Sequence, residues 1–270
     1  MRIILSCFCF IYLNIAFTQE KWVLLWKTDM DSTAIWDTDG LSQCYVFQRQ
    51  NIQKLSASGK LMLEESNKSY GDIEKIDALN PLKIAFFSES QQRICFLDNA
   101  LALQQNCINL SDLDVNLGTT ISSSGQTDRI WIYDEPNQRV ELVTLRNNQS
   151  QIIQNINRLL GFDHIINIQE INNLLYVFDD KHQIAWLDQY GNFIDALTLP
   201  PFGAAYPIQD YILFSEDKKI NAVHTVTEDK QLFFDQDILD SSIIKFKTFA
   251  NLIFIQTKTT LYCFTLKKNE

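Results

Sequence analysis

The sequence predicts an all-β chain closed into a ring of six four-stranded antiparallel sheets, and three observations carry that prediction. An apolar strand core recurs six times, at Cys44–Phe47, Ile84–Phe87, Ile130–Tyr133, Leu175–Phe178, Tyr211–Phe214 and Leu252–Ile255, with steps of 40, 46, 45, 36 and 41 residues between their last members. Each core is flanked by further short β-branched or aromatic runs and polar turns, and no long helical period interrupts them. The last unit stops one strand short, while Trp22–Trp26 offers a spare strand ahead of the first full unit near Ala34. A period near forty marks a repeat architecture, and four short antiparallel strands per repeat define a blade. The class is therefore a six-bladed β-propeller whose N-terminal strand completes the last blade and removes an exposed sheet edge.

The unit from Ile165 to Leu199 shows the pattern most clearly. Strands are expected at Ile165–Ile171, Asn173–Phe178, Gln183–Leu187 and Phe193–Leu199, with a turn at Asp188–Gly191 before the last. Gly191 supplies the positive φ that such a turn demands. Ser56–Gly59 occupies the matching place in an earlier unit, and Leu97-Asp98-Asn99 opens another. The final unit reads as strands near Ile243–Phe249, Leu252–Gln256 and Leu261–Leu266.

Residues 1–19 read as a secretory signal peptide, leaving residues 20–270 as a single propeller domain. Arg2 precedes an apolar run from Ile3 to Phe17, a small-residue end follows, and polar Gln19, Glu20 and Lys21 come next. The run is short for a membrane span, so no transmembrane segment is expected after cleavage. That places the mature chain in the periplasm or cell envelope. The chain has 270 residues with 33 acidic and 23 basic side chains, a formal net charge of −10. Such a balance argues against nucleic acid or an anionic membrane as partner, because both would be repelled.

Cys44, Cys95, Cys107 and Cys263 lie beyond the signal, and none forms a C-x-x-C pair or sits at metal-ligand spacing from a histidine. Cys95 and Cys107 could face each other across a hairpin in an oxidising compartment. Adjacent-strand pairs strain disulfide geometry, so buried free thiols are the expectation.

Between Ser56 and Leu187 the chain resembles a family of exported bacterial propeller proteins. The resemblance rests on the Ser58-Gly59 turn, Asn80-Pro-Leu-Lys-Ile84, Phe96-Leu-Asp-Asn99, Ile130-Trp-Ile-Tyr-Asp134 and Asn157–Leu160. It covers about half of the chain beyond the signal, implies the fold and export, and carries over no catalytic residue. More distantly the blades are similar to six-bladed propellers of the NHL and lactonase-like kinds. A bacterial source would leave the sequons at Asn67, Asn109 and Asn148 unglycosylated.

Linear motifs for chemistry are weak. Asp29, Asp31, Asp37 and Asp39-Gly40 lack the spacing and closing glutamate of a calcium loop and read as turn residues beside the first blade. His164, His182 and His224 fall in separate units with no nucleophile elbow to serve. No cofactor or metal is expected, and the residues favour a non-enzymatic role. Two features do gather on one face of the ring. Turns between second and third strands carry Glu89, Asp134-Glu135, Asp179-Asp180 and Glu216-Asp217, an acidic rim suited to a basic partner. On the same side runs the apolar connection Pro200–Pro207, where Phe202 and Tyr206 would be costly to leave in water. The expected function is a monomeric protein-binding or scaffolding module for another envelope protein. The alternative is small-molecule or carbohydrate binding, or lactonase-like hydrolysis, at the channel mouth.

Overall fold

The computed structural model describes residues 21–66, 71–104 and 107–267. The signal segment 1–19 and the sequon at Asn67 lie outside the described residues. Six sheets of four antiparallel strands form a ring. Their innermost strands are Ile35–Thr38, Lys75–Asp77, Gly118–Ser123, Ile165–Ile171, Ala205–Ile208 and Lys245–Phe249 in blades 1 to 6. Their outermost strands are Leu61–Ser66, Ile108–Asn109, Gln149–Ile153, Phe193–Thr198 and Lys230–Asp235 in blades 1 to 5.

Lys21–Asp29 forms the outermost strand of blade 6, pairing antiparallel with Thr260–Lys267 from Lys21↔Lys267 to Asp29↔Thr260. This is the closure expected from the sequence. Trp22 secures it by packing on Phe233 and Phe234 of blade 5, and its indole Nε1 donates to the Phe233 carbonyl at 3.0 Å. Across the other junction the Trp36 indole donates to Gln256 Oε1 at 2.8 Å.

The apolar cores read from the sequence are the second strands of the blades, buried on both faces. Ile84–Ser88 and Leu252–Gln256 are buried throughout. Each pair of neighbouring blades shares one apolar cluster: Tyr45, Ile52, Ile76 and Phe86 between blades 1 and 2, and Tyr176, Phe178, Ile212 and Phe214 between blades 4 and 5. Burying one such side chain contributes roughly 1.5–3 kcal/mol, so every junction is a core in its own right. The ring is rigid for that reason.

Turn chemistry repeats with the blades. Gly59 and Gly191 adopt φ of 76° and 87°, closing Ser56–Gly59 and Asp188–Gly191 with backbone bonds of 2.8 and 3.0 Å. A Cβ on either would also sit 2.6 Å from a neighbour, Trp26 or Ile153. In blade 2 the same turn follows Asp98, with Leu101 at φ 64° in the glycine's place.

One expectation is overturned. Cys95 and Cys107 are joined by a disulfide with Cα atoms 4.3 Å apart, while Cys44 and Cys263 stay free and buried. The pairs Arg93↔Asn109 and Ile94↔Ile108 set Cys95 directly opposite Cys107, and their separation is the close spacing of a non-hydrogen-bonded antiparallel pair. Side chains approach closest at such a site, which is where an adjacent-strand bridge fits. Asp37 is a second correction. It belongs to the innermost strand of blade 1 rather than to a turn, and Asp29 likewise ends the outermost strand of blade 6.

Candidate functional site in the central channel

Residues on an innermost strand alternate between the neighbouring sheet and the ring axis, because side chains of a strand have a period of two. Ile76 and Phe246 turn into interblade clusters. Lys75, Asp77, Lys245 and Lys247 take the alternate positions and line an axial cavity of about 690 Å³, with Asp37 from blade 1. Leu79, Gly125, Asn172 and Phe249 line it where first strands end, and Phe202 and Ala204 where the connection from blade 4 to blade 5 enters.

The innermost strands of blades 6, 1 and 2 thus supply three lysines and two aspartates. Lys247 Nζ lies 2.6 Å from Asp37 Oδ1 and donates to the Thr38 carbonyl at 2.9 Å. The Ala78 amide donates to Asp37 Oδ2 at 2.8 Å. Burial opposes the Asp37 charge, yet Lys247, Lys245 and that amide together hold its carboxyl below the ordinary value. Burial likewise opposes the charge on Lys247, and Asp37 overrides it, leaving the ammonium above its usual range.

Lys75 reaches across to neutral groups of blades 3 and 4. It donates to Thr120 Oγ1 at 3.0 Å, Asn167 Oδ1 at 2.6 Å and the Ile168 carbonyl at 3.0 Å. With neutral acceptors in place of a carboxylate, burial pushes its pKa down to about 8 despite the field of Asp77. Lys245 donates to the Trp36 carbonyl and stands 4.9 Å from the Trp36 ring centroid, and burial lowers its pKa also.

The residues singled out from the sequence divide into two groups. Asp134 and Asp179 are fully buried, and their carboxylates hold turn amides: Asn116 and Leu117 on Asp134, Lys181 and Gln183 on Asp179. Glu135, Asp180 and Asp217 are exposed, and half-buried Glu216 pairs with Lys230 at 2.7 Å. Phe202 and Tyr206 line the cavity, and Phe202 packs edge-on to His182 at 4.8 Å. Gly203 and Ala204 bind Ser215, which ties the apolar connection down onto blade 5. Among the described residues no three His, Cys, Asp or Glu side chains converge to hold a metal. No helix among them is long and apolar enough to cross a membrane.

A second surface lies on the ring's flank. All six residues of Leu61–Ser66 are exposed, including Leu61, Met62 and Leu63. Met62 and Leu63 face Leu82, Asp98 and Ala100 of blade 2 across an open groove of about 590 Å³. At its floor the Lys54 ammonium donates to the Asn99 carbonyl at 2.8 Å and to the Asn99 side chain.

Solved structures identify the architecture. The Pan2 WD40 domain of Neurospora crassa matches with a TM-score of 0.63 at 8% identity, over 92% of this chain and 96% of that one. This is a β-propeller. Virginiamycin B lyase from Staphylococcus aureus superposes on the propeller with a TM-score of 0.58 at 12% identity, over 92% of this chain and 100% of that one. A chain of the mitotic checkpoint complex gives 0.58 at 9% identity, covering 99% of both. Likeness at such identities is likeness of fold alone. No protein-family model matches the sequence, and no curated protein matches it.

Proposed function

We propose that this propeller is a non-enzymatic protein-binding module of the cell envelope that receives an extended segment of its partner along the outer edge of blade 1. The observation that carries the reading is the Leu61–Ser66 edge, a six-residue strand with an unpaired flank and three adjacent exposed apolar side chains. Long apolar edges are rarely left open, and an added strand satisfies their backbone groups. Asp98 lines the groove and Glu64 and Glu65 continue the exposed strand beside it, on a chain of net charge −10, so the fitting segment alternates apolar with basic side chains. Propeller chains are found in assemblies such as the BBS1 domain bound to ARL6. The Cys95–Cys107 disulfide and the apolar run at Ile3–Phe17 support an oxidising, exported setting.

Selection from a random peptide library on the purified chain tests this. Alternating apolar and basic peptides should be enriched, and Met62→Asp with Leu82→Asp should abolish their binding. The proposal falls if nothing is enriched, or if enriched peptides ignore both substitutions.

A second reading, a small-molecule site in the channel, is favoured by the axial cavity. Its volume lies within the range of ligand sites, and several of its polar groups have unfilled capacity.

A further inference from the structure

Hydrogen-bonding capacity around the axial cavity is unevenly filled. Four carboxylates border it: Asp37, Asp39, Asp77 and Glu170. Every one of their oxygens already accepts a hydrogen bond from the protein. Asp37 takes Lys247 and the Ala78 amide, and Asp77 takes the Leu79 and Ser123 amides. Asp39 takes two amides and the Tyr45 hydroxyl, while Glu170 takes the Gly125 amide and the Trp131 indole.

The donors are less fully engaged. Lys75 uses all three ammonium protons. Lys247 uses two, on Asp37 and Thr38. Lys245 has a single oxygen acceptor, the Trp36 carbonyl, and no carboxylate within ion-pair distance among the described residues. The Tyr206 phenol makes no hydrogen bond to the described residues, although it lies in the fields of Lys247, Asp37 and Asp77. Unfilled capacity here is therefore donor capacity, centred on Lys245, a buried cation that feels Asp37 and Asp77 at a distance but touches no carboxylate among the described residues. Burying such a charge unpaired is costly, and an arriving carboxylate removes that cost. A doubly charged phosphate would bring excess charge beside four carboxylates. Phe178, Phe202 and Ile166 add an apolar wall at the end of the channel where Lys245 starts its strand, in a volume that suits a ring-sized molecule.

We propose that the channel holds a small organic monocarboxylate, its carboxylate on Lys245, Lys247 and Tyr206 and its apolar or ring body against the phenyl wall. This rests on the small-molecule reading of the channel and is independent of the edge of blade 1. Calorimetric titration of the full chain with benzoate and glucuronate, against benzamide, glucose and inorganic phosphate, tests it. The two carboxylates should bind at least about tenfold tighter than their neutral counterparts and than phosphate. Lys245→Met should weaken benzoate about tenfold or more, and Tyr206→Phe about threefold. Lys245→Arg, which keeps the charge, should bind nearly as well as the parent and guards against misreading a folding defect. Equal binding of benzamide or glucose overturns the anion while leaving a small-molecule site. Phosphate binding alone overturns the organic body, and indifference to Lys245→Met overturns the placement. Silence of all five probes overturns the monocarboxylate and the small-molecule reading together.

Discussion

The innermost and outermost strands of this ring invert the usual distribution of polarity. Inner strands of blades 6, 1 and 2 withdraw Lys245, Lys247, Asp37, Lys75 and Asp77 from bulk water, whereas the outer strand of blade 1 puts Leu61, Met62 and Leu63 into it. Between them, second strands such as Ile84–Ser88 are buried on both faces and supply the interblade cores. Stability thus resides in the middle of each blade, and the two margins are free to carry charge or apolar surface at a cost. The difference teaches where to look for function. A propeller's margins, not its cores, depart from what folding alone requires.

The largest effect should come from breaking the charged wall. Asp37→Ala removes the partner of Lys247 and strands the Ala78 amide. A buried cation left unpaired costs about 3–5 kcal/mol, so denaturant unfolding should show a loss of that order. Gln169→Leu, on the blade 4 side of the same channel, where the innermost strand carries no lysine, should cost less than about 1 kcal/mol. Equal losses at the two sites would erase the distinction between the ion-paired wall and the side opposite it.

Next in size is the staple at the margin of blade 2. Its outer strand, Ile108–Asn109, has two residues and is bound through Cys95–Cys107, whereas that of blade 1 has six and no such restraint. Closing a loop of sequence separation 12 restricts the unfolded chain by about 2–3 kcal/mol. Reduction should lower the unfolding midpoint accordingly and leave the far-ultraviolet spectrum of the ring unchanged.

A smaller effect should appear as a pH dependence. The Lys75 ammonium titrates at about 8 in the fold against an ordinary 10.5, chiefly because it is buried. Below about pH 8 it is charged both folded and unfolded, and the full burial penalty is present. Between about 8 and 10.5 the unfolded chain holds more protons than the folded one, so this group's contribution to stability rises with pH. Comparing unfolding of the parent and Lys75→Met across that window should reveal a difference of up to about 3 kcal/mol that narrows toward high pH. A pH-independent difference would mean Lys75 titrates normally.

The middle of the blades was legible in the sequence because continuous apolar runs such as Ile84-Ala-Phe-Phe87 signal strands buried on both faces. Ring closure was legible too, since Trp22–Trp26 had no other partner and the last unit lacked a strand. The channel was not. Lys75-Ile-Asp77 and Lys245-Phe-Lys247 read as strands with one solvent-facing side, and only closing the ring turns that side inward. A weak signal did exist: Asp37, Asp77 and Lys247 all sit just ahead of the apolar second strands. Asp134 and Asp179 misled in the opposite direction, because an aspartate buried on backbone amides, those of the preceding segment for Asp134 and of its own turn for Asp179, looks in sequence like one presented to solvent. Phe202 is an apolar residue of the connection, whereas Tyr206 belongs to the innermost strand Ala205–Ile208 of blade 5 and not to a loop; both line the cavity.

The smallest stability effect, and the sharpest test of the comparison, belongs to the exposed edge. Leu61, Met62 and Leu63 are already 54%, 49% and 39% exposed, so unfolding brings each of them less new contact with water than it brings a core residue. Substituting Met62 by Lys should therefore change stability by no more than about 0.5 kcal/mol, in contrast with Asp37→Ala on the inner margin. Lysine at an edge also repels an incoming strand, because its charge would have to be desolvated in the new pair. Met62→Lys should thus leave thermal unfolding unchanged while removing peptide binding and any concentration-dependent self-association. If melting falls by several degrees, the strand is a structural part of blade 1. Its apolar side chains would then answer to folding, as the second strands do, and the margin would carry no separate function.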